Sequence, residues 1–164
     1  NLQEQQVSLD TLTRLNNRNE FQRVLQDKLE FFNPEMPLYL LVLDIDEFKQ
    51  INDKYGHIEG DKALKRVAKV LQEVGSAYDC FISRFGGDEF ILLCEAEQEE
   101  RIRQLCADIK SALAASKARY GTPYKLELSI GYAAYDPAFK KTEEFVARAD
   151  AHMYAEKREK KVTR

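Results

Sequence analysis

Four stretches of the chain repeat apolar residues at the spacing of an amphipathic helix. In the first stretch, Asn17 precedes Glu20 by three residues, which is the pattern of a capping box at the start of a helix. Pro and Gly residues separate the stretches from the segments between them. The pattern predicts helices over about 18–32, 61–75, 102–113 and 145–161.

Two other patterns predict strands. The continuous apolar run Leu38–Leu43 is typical of a strand that is buried on both faces. Two apolar runs, Cys80–Phe85 and Phe90–Cys94, flank Gly86-Gly87-Asp88-Glu89 and predict a β-hairpin with a glycine-rich turn. Apolar and polar residues alternate from Tyr124 to Ile130, which is typical of a half-buried strand.

This order of elements predicts an α+β fold with a mostly antiparallel central sheet and surrounding helices. The length of 164 residues suits one domain, and the hydrophobic fraction of 44% suits a globular chain. The net charge of -3 provides no positive field for nucleic acid or an acidic membrane. The apolar runs are far too short to cross a bilayer. We therefore expect a cytoplasmic domain with no nucleic-acid partner and no direct membrane contact.

The three cysteines, Cys80, Cys94 and Cys106, all lie in apolar contexts. Their spacings match no zinc-binding motif, and an odd number of cysteines argues against a framework of disulfides. We therefore expect all three cysteines to be reduced residues of the hydrophobic core.

Four carboxylates are expected to converge at one edge of the sheet. Asp44 and Asp46 follow the central strand, and Asp88 and Glu89 lie at the tip of the hairpin. Hard cations such as Mg²⁺ (or Mn²⁺) take oxygen ligands, so these residues form a plausible metal site. Alternatively, Asp46 caps a short helix that begins at Glu47, and the hairpin turn has no further role. Asp44 favours the metal site, because a buried carboxylate without a partner is costly.

The segment between these carboxylates is rich in groups that can bind a polar ligand. Lys49 could present its ammonium group to a phosphate, and Asn52 with Asp61 could read guanine, which offers two adjacent donors to a carboxylate. Each residue also has an ordinary role: Lys49 as a solvated charge, Asn52 at a helix end, and Asp61 in the first turn of a helix. His57 is more simply a loop or packing residue than a ligand.

Together these segments resemble the GGDEF family, which is named for the residues that stand here as Gly86–Phe90. The resemblance covers Ser8 to Lys161 and rests on five blocks in the order of the family. The blocks are 10–18, 44–53, 56–61, 86–90 and the last helix with Ala149-Asp150, Tyr154 and Lys157. The resemblance implies a nucleotide-cyclase or polymerase-palm-like fold. It also implies the condensation of two GTP molecules to cyclic di-GMP by a two-fold homodimer.

The resemblance also implies roles for individual residues. Asp44, the backbone carbonyl of Ile45 and Asp88 would hold Mg²⁺, and Asp88 or Glu89 would help to deprotonate the 3′-hydroxyl group. Lys49 would offset charge on the phosphates as a catalytic residue. The implied substrate-binding residues are Phe48, Lys49, Asn52, His57, Asp61, Gly86, Gly87, Lys157 and Lys161.

The chain departs from the pattern of the family at three places. Arg14 stands where many members carry Gly, and Lys160-Lys161 replaces a Gly-Arg pair, so Lys161 keeps the charge but loses the bidentate fork of arginine. The stretch 77–80 lacks the Arg-x-x-Asp motif of the inhibitory product site. We therefore predict that product inhibition through that site is absent.

The leading hypothesis is an active diguanylate cyclase domain at residues 9–164. Residues 1–8 would be the end of a linker helix from an N-terminal sensor domain, and the full-length protein could be anchored in a membrane. The alternative is a non-catalytic GGDEF domain that binds GTP as a regulatory module. A cyclase that makes another nucleotide product is disfavoured by Asp61.

Overall fold

A computed structural model describes residues 8–163, which form five helices and four strands. The helices are α1 (Arg18–Glu30), α2 (Phe48–Tyr55), α3 (His57–Ala77), α4 (Glu99–Tyr120) and α5 (Thr142–Thr163). The strands are β1 (Leu38–Ile45), β2 (Phe81–Gly86), β3 (Glu89–Glu95) and β4 (Leu128–Ala134). The predicted capping residue Asn17 does cap α1, because its side chain accepts a hydrogen bond from the Glu20 N–H at 3.0 Å.

All four strands belong to one antiparallel sheet in the order β2-β3-β1-β4. The predicted α+β class is therefore confirmed. β1 lies in the centre, and its register places Asp44 opposite Glu89 of β3 on one side and opposite Ser129 of β4 on the other. The sheet thus fixes which side chains meet near the end of β1.

Each face of the sheet carries its own hydrophobic cluster. Leu41 and Leu43 of β1 pack on the face covered by α3 and α4. Leu40 and Val42 point to the opposite face, where α1 and α5 pack. All four side chains are fully buried. The prediction that Leu38–Leu43 is buried on both faces is confirmed, and helices lie on both sides of the sheet.

Several predicted boundaries were wrong. β4 begins at Leu128 rather than at Tyr124, because its partner β1 ends at Ile45, opposite Leu128, and the chain then turns towards α2. α3 extends beyond its predicted range at both ends. Gly75 does not end this helix but lies against the side chain of Ile82, where a Cβ atom would come within 2.5 Å of Ile82 Cδ1.

The prediction of three reduced cysteines is wrong for two of them, since a disulfide joins Cys80 to Cys94. Phe81 pairs with Leu93 in the β2–β3 register, so the adjacent Cys80 and Cys94 face each other with their Cα atoms 4.7 Å apart. This separation is within the range of disulfides. Cys106 is free, and burial raises its pKa to about 12.

Within residues 8–163, none of the helices combines the length and the apolar character needed to cross a membrane. The predicted end of a linker helix over residues 1–8 lies outside the described residues, apart from Ser8. The N-terminal boundary of the domain therefore stays a prediction.

Candidate functional site

Two acidic segments meet where β1 ends beside the β2–β3 hairpin. Asp44 lies opposite Glu89, which directly follows the Gly87-Asp88 turn of the hairpin. The Ile45 N–H donates a hydrogen bond to the Asp88 carbonyl oxygen at 3.3 Å. The register thus brings Asp44, Asp88 and Glu89 to one edge of the sheet, as the sequence predicted.

Asp44 and Asp88 form a close carboxylate pair. Burial, a hydrogen bond with Asp44 and the charge of Asp44 raise the pKa of Asp88 to about 7. The Lys157 ammonium group donates to Oδ2 of Asp44. Oδ1 of Asp44 is buried and has no hydrogen-bond partner in the described part of the chain. Because an unpartnered buried carboxylate oxygen is costly, this position is suited to a cation.

These groups fit a divalent metal ion. Mg²⁺ and Mn²⁺ take oxygen ligands, and Mg²⁺ is commonly held by one or two carboxylates together with substrate phosphates and water. Asp44 and Asp88 supply two carboxylates, and the carbonyl group of Ile45 follows directly in the chain. Among residues 8–163, no group of three or more His, Cys, Asp or Glu side chains is arranged to hold a metal. A cation at this edge would therefore need further oxygen ligands from the backbone, water or a phosphate.

We expect the Asp88 carboxyl group to make the metal-free protein less stable as the pH rises through about 7. The pKa of Asp88 in the folded protein, about 7, lies above its usual value of 3.8, so folding favours the protonated form. This contribution to the free energy of unfolding is fully present below pH 3.8 and is lost as the pH rises through about 7.

Urea unfolding at a series of pH values, followed by circular dichroism, measures this effect as the difference between the wild type and Asp88→Asn. The variant should gain stability relative to the wild type as the pH rises, and Mg²⁺ should reduce the difference by stabilising the wild type. A difference in the free energy of unfolding between the two proteins that stays constant from pH 3.8 to about 7 would contradict the raised pKa of Asp88.

Glu89, the first residue of β3, lies near the same carboxylates. Burial and the charges of Asp150 and Asp44 raise the pKa of Glu89, while the cations Arg18 and Lys157 act in the opposite direction. A carboxylate with a raised pKa is a stronger proton acceptor than an ordinary one. Asp150 and Arg18 were not predicted as site residues, although both lie in the sequence blocks that carry the resemblance.

Asp46 has protein partners on both carboxylate oxygens. The Ser129 hydroxyl group donates to Oδ1 and the Lys160 ammonium group donates to Oδ2, each at 2.6 Å. Lys160 also donates to the Leu128 carbonyl oxygen at 2.8 Å. Asp46 therefore ties α5 to the sheet. The alternative in which Asp46 caps α2 is wrong, because Glu47 is the residue that precedes this helix.

A cavity of about 150 Å³ opens beside the contact between Asp46 and Lys160. Its walls suit an anionic group, because three of its five lining residues are lysines. The lining residues are Asp46, Glu47, Lys157, Lys160 and Lys161. The structure thus brings the predicted Lys157 and Lys161 to one cavity. Lys49 lies apart, since its side chain is 91% exposed and its ammonium group is 3.8 Å from the Asp53 carboxylate.

Phe48 and Asn52 of α2 face the first turn of α3. A Cβ atom on Gly60 would lie 1.8 Å from Asn52 Oδ1 and 3.4 Å from the ring of Phe48, so only glycine leaves room for the observed Asn52 side chain. Asp61 follows directly and is exposed, as is His57 at the start of α3. An amide and a carboxylate that can both bind a polar ligand therefore stand at neighbouring positions.

Arg84 holds the hairpin turn. Its guanidinium group donates to the Gly87 carbonyl oxygen from Nε at 3.0 Å and from Nη2 at 2.7 Å, and it pairs with Asp10 at 3.2 Å. Burial acts to raise the pKa of Asp10, but hydrogen bonds from Thr13 and Arg84 outweigh it and lower the pKa. A Cβ atom on Gly86 or Gly87 would meet no other group within 4 Å, so the space beside the turn is open.

The sequence profile described as "Diguanylate cyclase, GGDEF domain" matches residues 7–163. The chain belongs to the GGDEF family. The resemblance that the sequence blocks predicted is therefore confirmed over almost the whole chain.

Named relatives agree with this assignment. Diguanylate cyclase DgcP of Pseudomonas aeruginosa is 39% identical over 158 residues, which cover 95% of this chain and 23% of DgcP. Diguanylate cyclase DosC of Escherichia coli is 34% identical over 157 residues, which cover 93% of this chain and 34% of DosC. The chain therefore spans between about a quarter and a third of the length of these relatives.

Solved structures give the same fold. The coiled coil and GGDEF domain of DgcB from Caulobacter crescentus, in complex with c-di-GMP, matches with a TM-score of 0.84 and 30% sequence identity. The match covers 96% of this chain and 84% of that one.

Two departures from the GGDEF pattern have distinct structural settings. Arg14 has a φ angle of 64°, in the left-handed region that favours glycine, which is the residue many members carry there.

In the stretch 77–80, the Tyr78 hydroxyl group donates to the Asp108 carboxylate at 2.5 Å, and the Arg101 guanidinium carbon lies 4.6 Å from the centre of the Tyr78 ring. Tyr78 is thus tied to α4. The predicted absence of product inhibition stays a prediction.

Proposed function

We propose that this chain is the catalytic domain of a diguanylate cyclase. In this reaction two GTP molecules condense to cyclic di-GMP. Each 3′-hydroxyl group attacks the α-phosphate of the other GTP, and two pyrophosphates leave. The Asp44–Asp88 pair carries the proposal, because the unpartnered buried oxygen of Asp44 and the raised pKa of Asp88 fit a cation-dependent reaction at phosphate.

The carboxylates at the end of β1 and at the hairpin would have separate roles. Asp44, the carbonyl group of Ile45 and Asp88 would hold Mg²⁺ or Mn²⁺. A bound ion of this kind neutralises phosphate charge and makes an attacking hydroxyl group more acidic. Glu89, or Asp88 itself, would accept the proton of the 3′-hydroxyl group, and the raised pKa of Glu89 favours this role.

The phosphates and the base of GTP would bind on either side of α2. Lys157 and Lys161 line the cavity beside the carboxylates and would bind phosphate oxygens, and Lys49 would approach the phosphates from the first turn of α2. Asn52 and Asp61 would read guanine, because a carboxylate accepts hydrogen bonds from both its N1–H and its N2 amino group. Adenine offers no such pair of donors.

Each domain would hold one GTP, so the reaction would need a second copy of the chain, related by a two-fold axis. An N-terminal sensor domain in the full-length, cytoplasmic protein would set the geometry of this homodimer through a helix that ends near Ser8. The presence of a coiled coil in the solved DgcB structure supports such a linker.

Incubation of the dimeric protein with GTP, ATP or both nucleotides, in the presence of Mg²⁺, tests the proposal. We expect cyclic di-GMP and pyrophosphate from GTP alone, identified by chromatography. A dimeric sample that binds GTP but yields no cyclic dinucleotide would instead support the alternative of a regulatory GTP-binding module. A product that contains adenine would overturn the role of Asp61.

Gly60→Ala should weaken GTP binding while the fold survives. The added Cβ atom would displace the Asn52 side chain, which is short but free to rotate, so the contact of Asn52 with guanine would be lost. We expect KM for GTP to rise about tenfold, which corresponds to about one hydrogen bond. The free energy of unfolding should change by less than about 1 kcal/mol, because alanine favours a helix more than glycine does.

Steady-state kinetics with GTP measures this effect, and Lys65→Ala is the matched control on an exposed position of α3. The control should leave KM unchanged. If Gly60→Ala also left KM unchanged, Asn52 would have no part in recognition of the base.

A further inference from the structure

Another cavity, of about 230 Å³, lies between α3 and the C-terminal half of α4. Its polar groups belong to Arg66, Lys69 and Glu73 of α3 and to Ser116, Arg119 and Tyr120 of α4. None of these residues lines the cavity beside the carboxylate cluster or belongs to the predicted site. The α3–α4 cavity therefore has no role in the proposed reaction.

Arg66 is the most unusual residue of the α3–α4 cavity, because it is only 4% exposed. Its guanidinium group donates from Nε to the Ser116 hydroxyl oxygen at 2.6 Å, from Nη1 to the Thr122 hydroxyl oxygen at 3.3 Å, and from Nη2 to the Leu113 carbonyl oxygen at 3.4 Å. It also lies 5.1 Å from the centre of the Tyr120 ring. All of these partners are neutral, and a guanidinium group has five N–H donors, so two donors remain.

The charge around this buried cation is not balanced. Arginine is rarely buried without an anionic partner, because removing a charge from water is expensive. In the described part of the chain, Arg66, Lys69 and Arg119 form no ion pair with a carboxylate. Glu73 is the one acidic residue among those that line the cavity. The cavity thus combines three cations with one anion and lacks a counter-ion for the buried one.

We propose that the α3–α4 cavity binds a compact anion that bears a phosphate group. Two free N–H donors of a planar guanidinium suit two phosphate oxygens, and the charges of Lys69 and Arg119 would hold the same group. The volume is below that of typical pockets for drug-sized ligands, so the cavity suits a free phosphate or pyrophosphate, or the phosphate end of a larger molecule. Such a ligand would supply the counter-ion that Arg66 lacks.

NMR titrations of the ¹⁵N-labelled protein with inorganic phosphate, pyrophosphate and GTP, in separate arms at constant ionic strength, test this proposal. We expect saturable shifts of the amide resonances at 66–73 and 112–122. The arms distinguish a free anion from the phosphate end of a nucleotide. Binding at the proposed catalytic site would instead shift the amide resonances of residues 44–48 and 157–161. The two sites are therefore measured separately, and the proposal for either site can be contradicted without the other.

The double variant Lys69→Gln/Arg119→Gln should weaken phosphate binding about tenfold or more, or about 1.4 kcal/mol. Its matched control is Lys65→Gln/Lys117→Gln, which removes the same charge from exposed positions of the same two helices. Arg66→Met, provided that circular dichroism shows a folded protein, should abolish the shifts at 112–122. Shifts confined to 44–48 and 157–161, or equal losses in both double variants, would overturn the proposal.

Discussion

Asp88→Asn should reduce the formation of cyclic di-GMP from GTP and Mg²⁺ by about a thousandfold or more. Asparagine keeps the size of the side chain but removes the charge that the Asp44–Asp88 pair would offer to a metal ion. Such an ion supplies several kcal/mol of charge stabilisation, and about 4 kcal/mol corresponds to about a thousandfold in rate. Initial rates of product formation, measured by chromatography, provide the test.

The matched control is Glu97→Gln, which removes a carboxylate from an exposed position just beyond β3. This control should retain wild-type turnover. Mn²⁺ binding, followed by electron paramagnetic resonance, gives a second measurement that does not depend on activity, and it should weaken only in Asp88→Asn. An Asp88→Asn protein that keeps both turnover and Mn²⁺ affinity would remove Asp88 from the proposed site.

Gly131→Ala should have the largest effect on stability. A Cβ atom at Gly131 of β4 would lie 2.0 Å from the backbone nitrogen of Met153 and 2.4 Å from the carbonyl oxygen of Ala149. These are backbone atoms of α5, so the helix as a whole must move away from the sheet. We expect a loss of about 3 kcal/mol in the free energy of unfolding, at the upper end of what overpacking costs. Turnover should also fall, because the same helix carries Lys157.

Urea unfolding followed by circular dichroism measures this loss. Ala134→Val adds bulk to an exposed position of the same strand and should change the free energy of unfolding by less than about 0.5 kcal/mol. If Gly131→Ala were as stable as this control, the close contact between β4 and α5 would not exist in solution.

The parts of the fold that local patterns determine were predictable from the sequence. The run Leu38–Leu43 has no charged or strongly polar position, which is typical of a strand with both faces covered, and this indicated a central place in the sheet. The hairpin signal placed Asp88 and Glu89 at a tip, and an antiparallel neighbour then brought them to Asp44. Periodicity and turn residues were sufficient for these predictions.

Contacts between distant segments could not be predicted in this way. Lys160 and Asp46 are 114 residues apart, and Arg84 and Asp10 are 74 residues apart. No local pattern in the sequence therefore indicates that either pair is in contact. Cys80 and Cys94 end the two strands of the predicted hairpin, but their pairing depends on a register shift between Arg84 and Gly86 that the sequence pattern does not indicate. The pattern of the family does not indicate Lys160 either, since many members carry glycine there, whereas the Lys160 ammonium group contacts Asp46 and Ser129 in the structure.

The ion pairs that join α5 to the end of β1 have a consequence for how the domain folds during synthesis. Asp44 emerges from the ribosome 113 residues before Lys157, its cationic partner, and the partner of Asp46 comes later still. The carboxylates of Asp44 and Asp46 therefore have no lysine partner from the protein until the last helix of the domain has been synthesised. Until α5 docks on the sheet, these carboxylates would repel one another unless a cation from the surrounding solution bound to them.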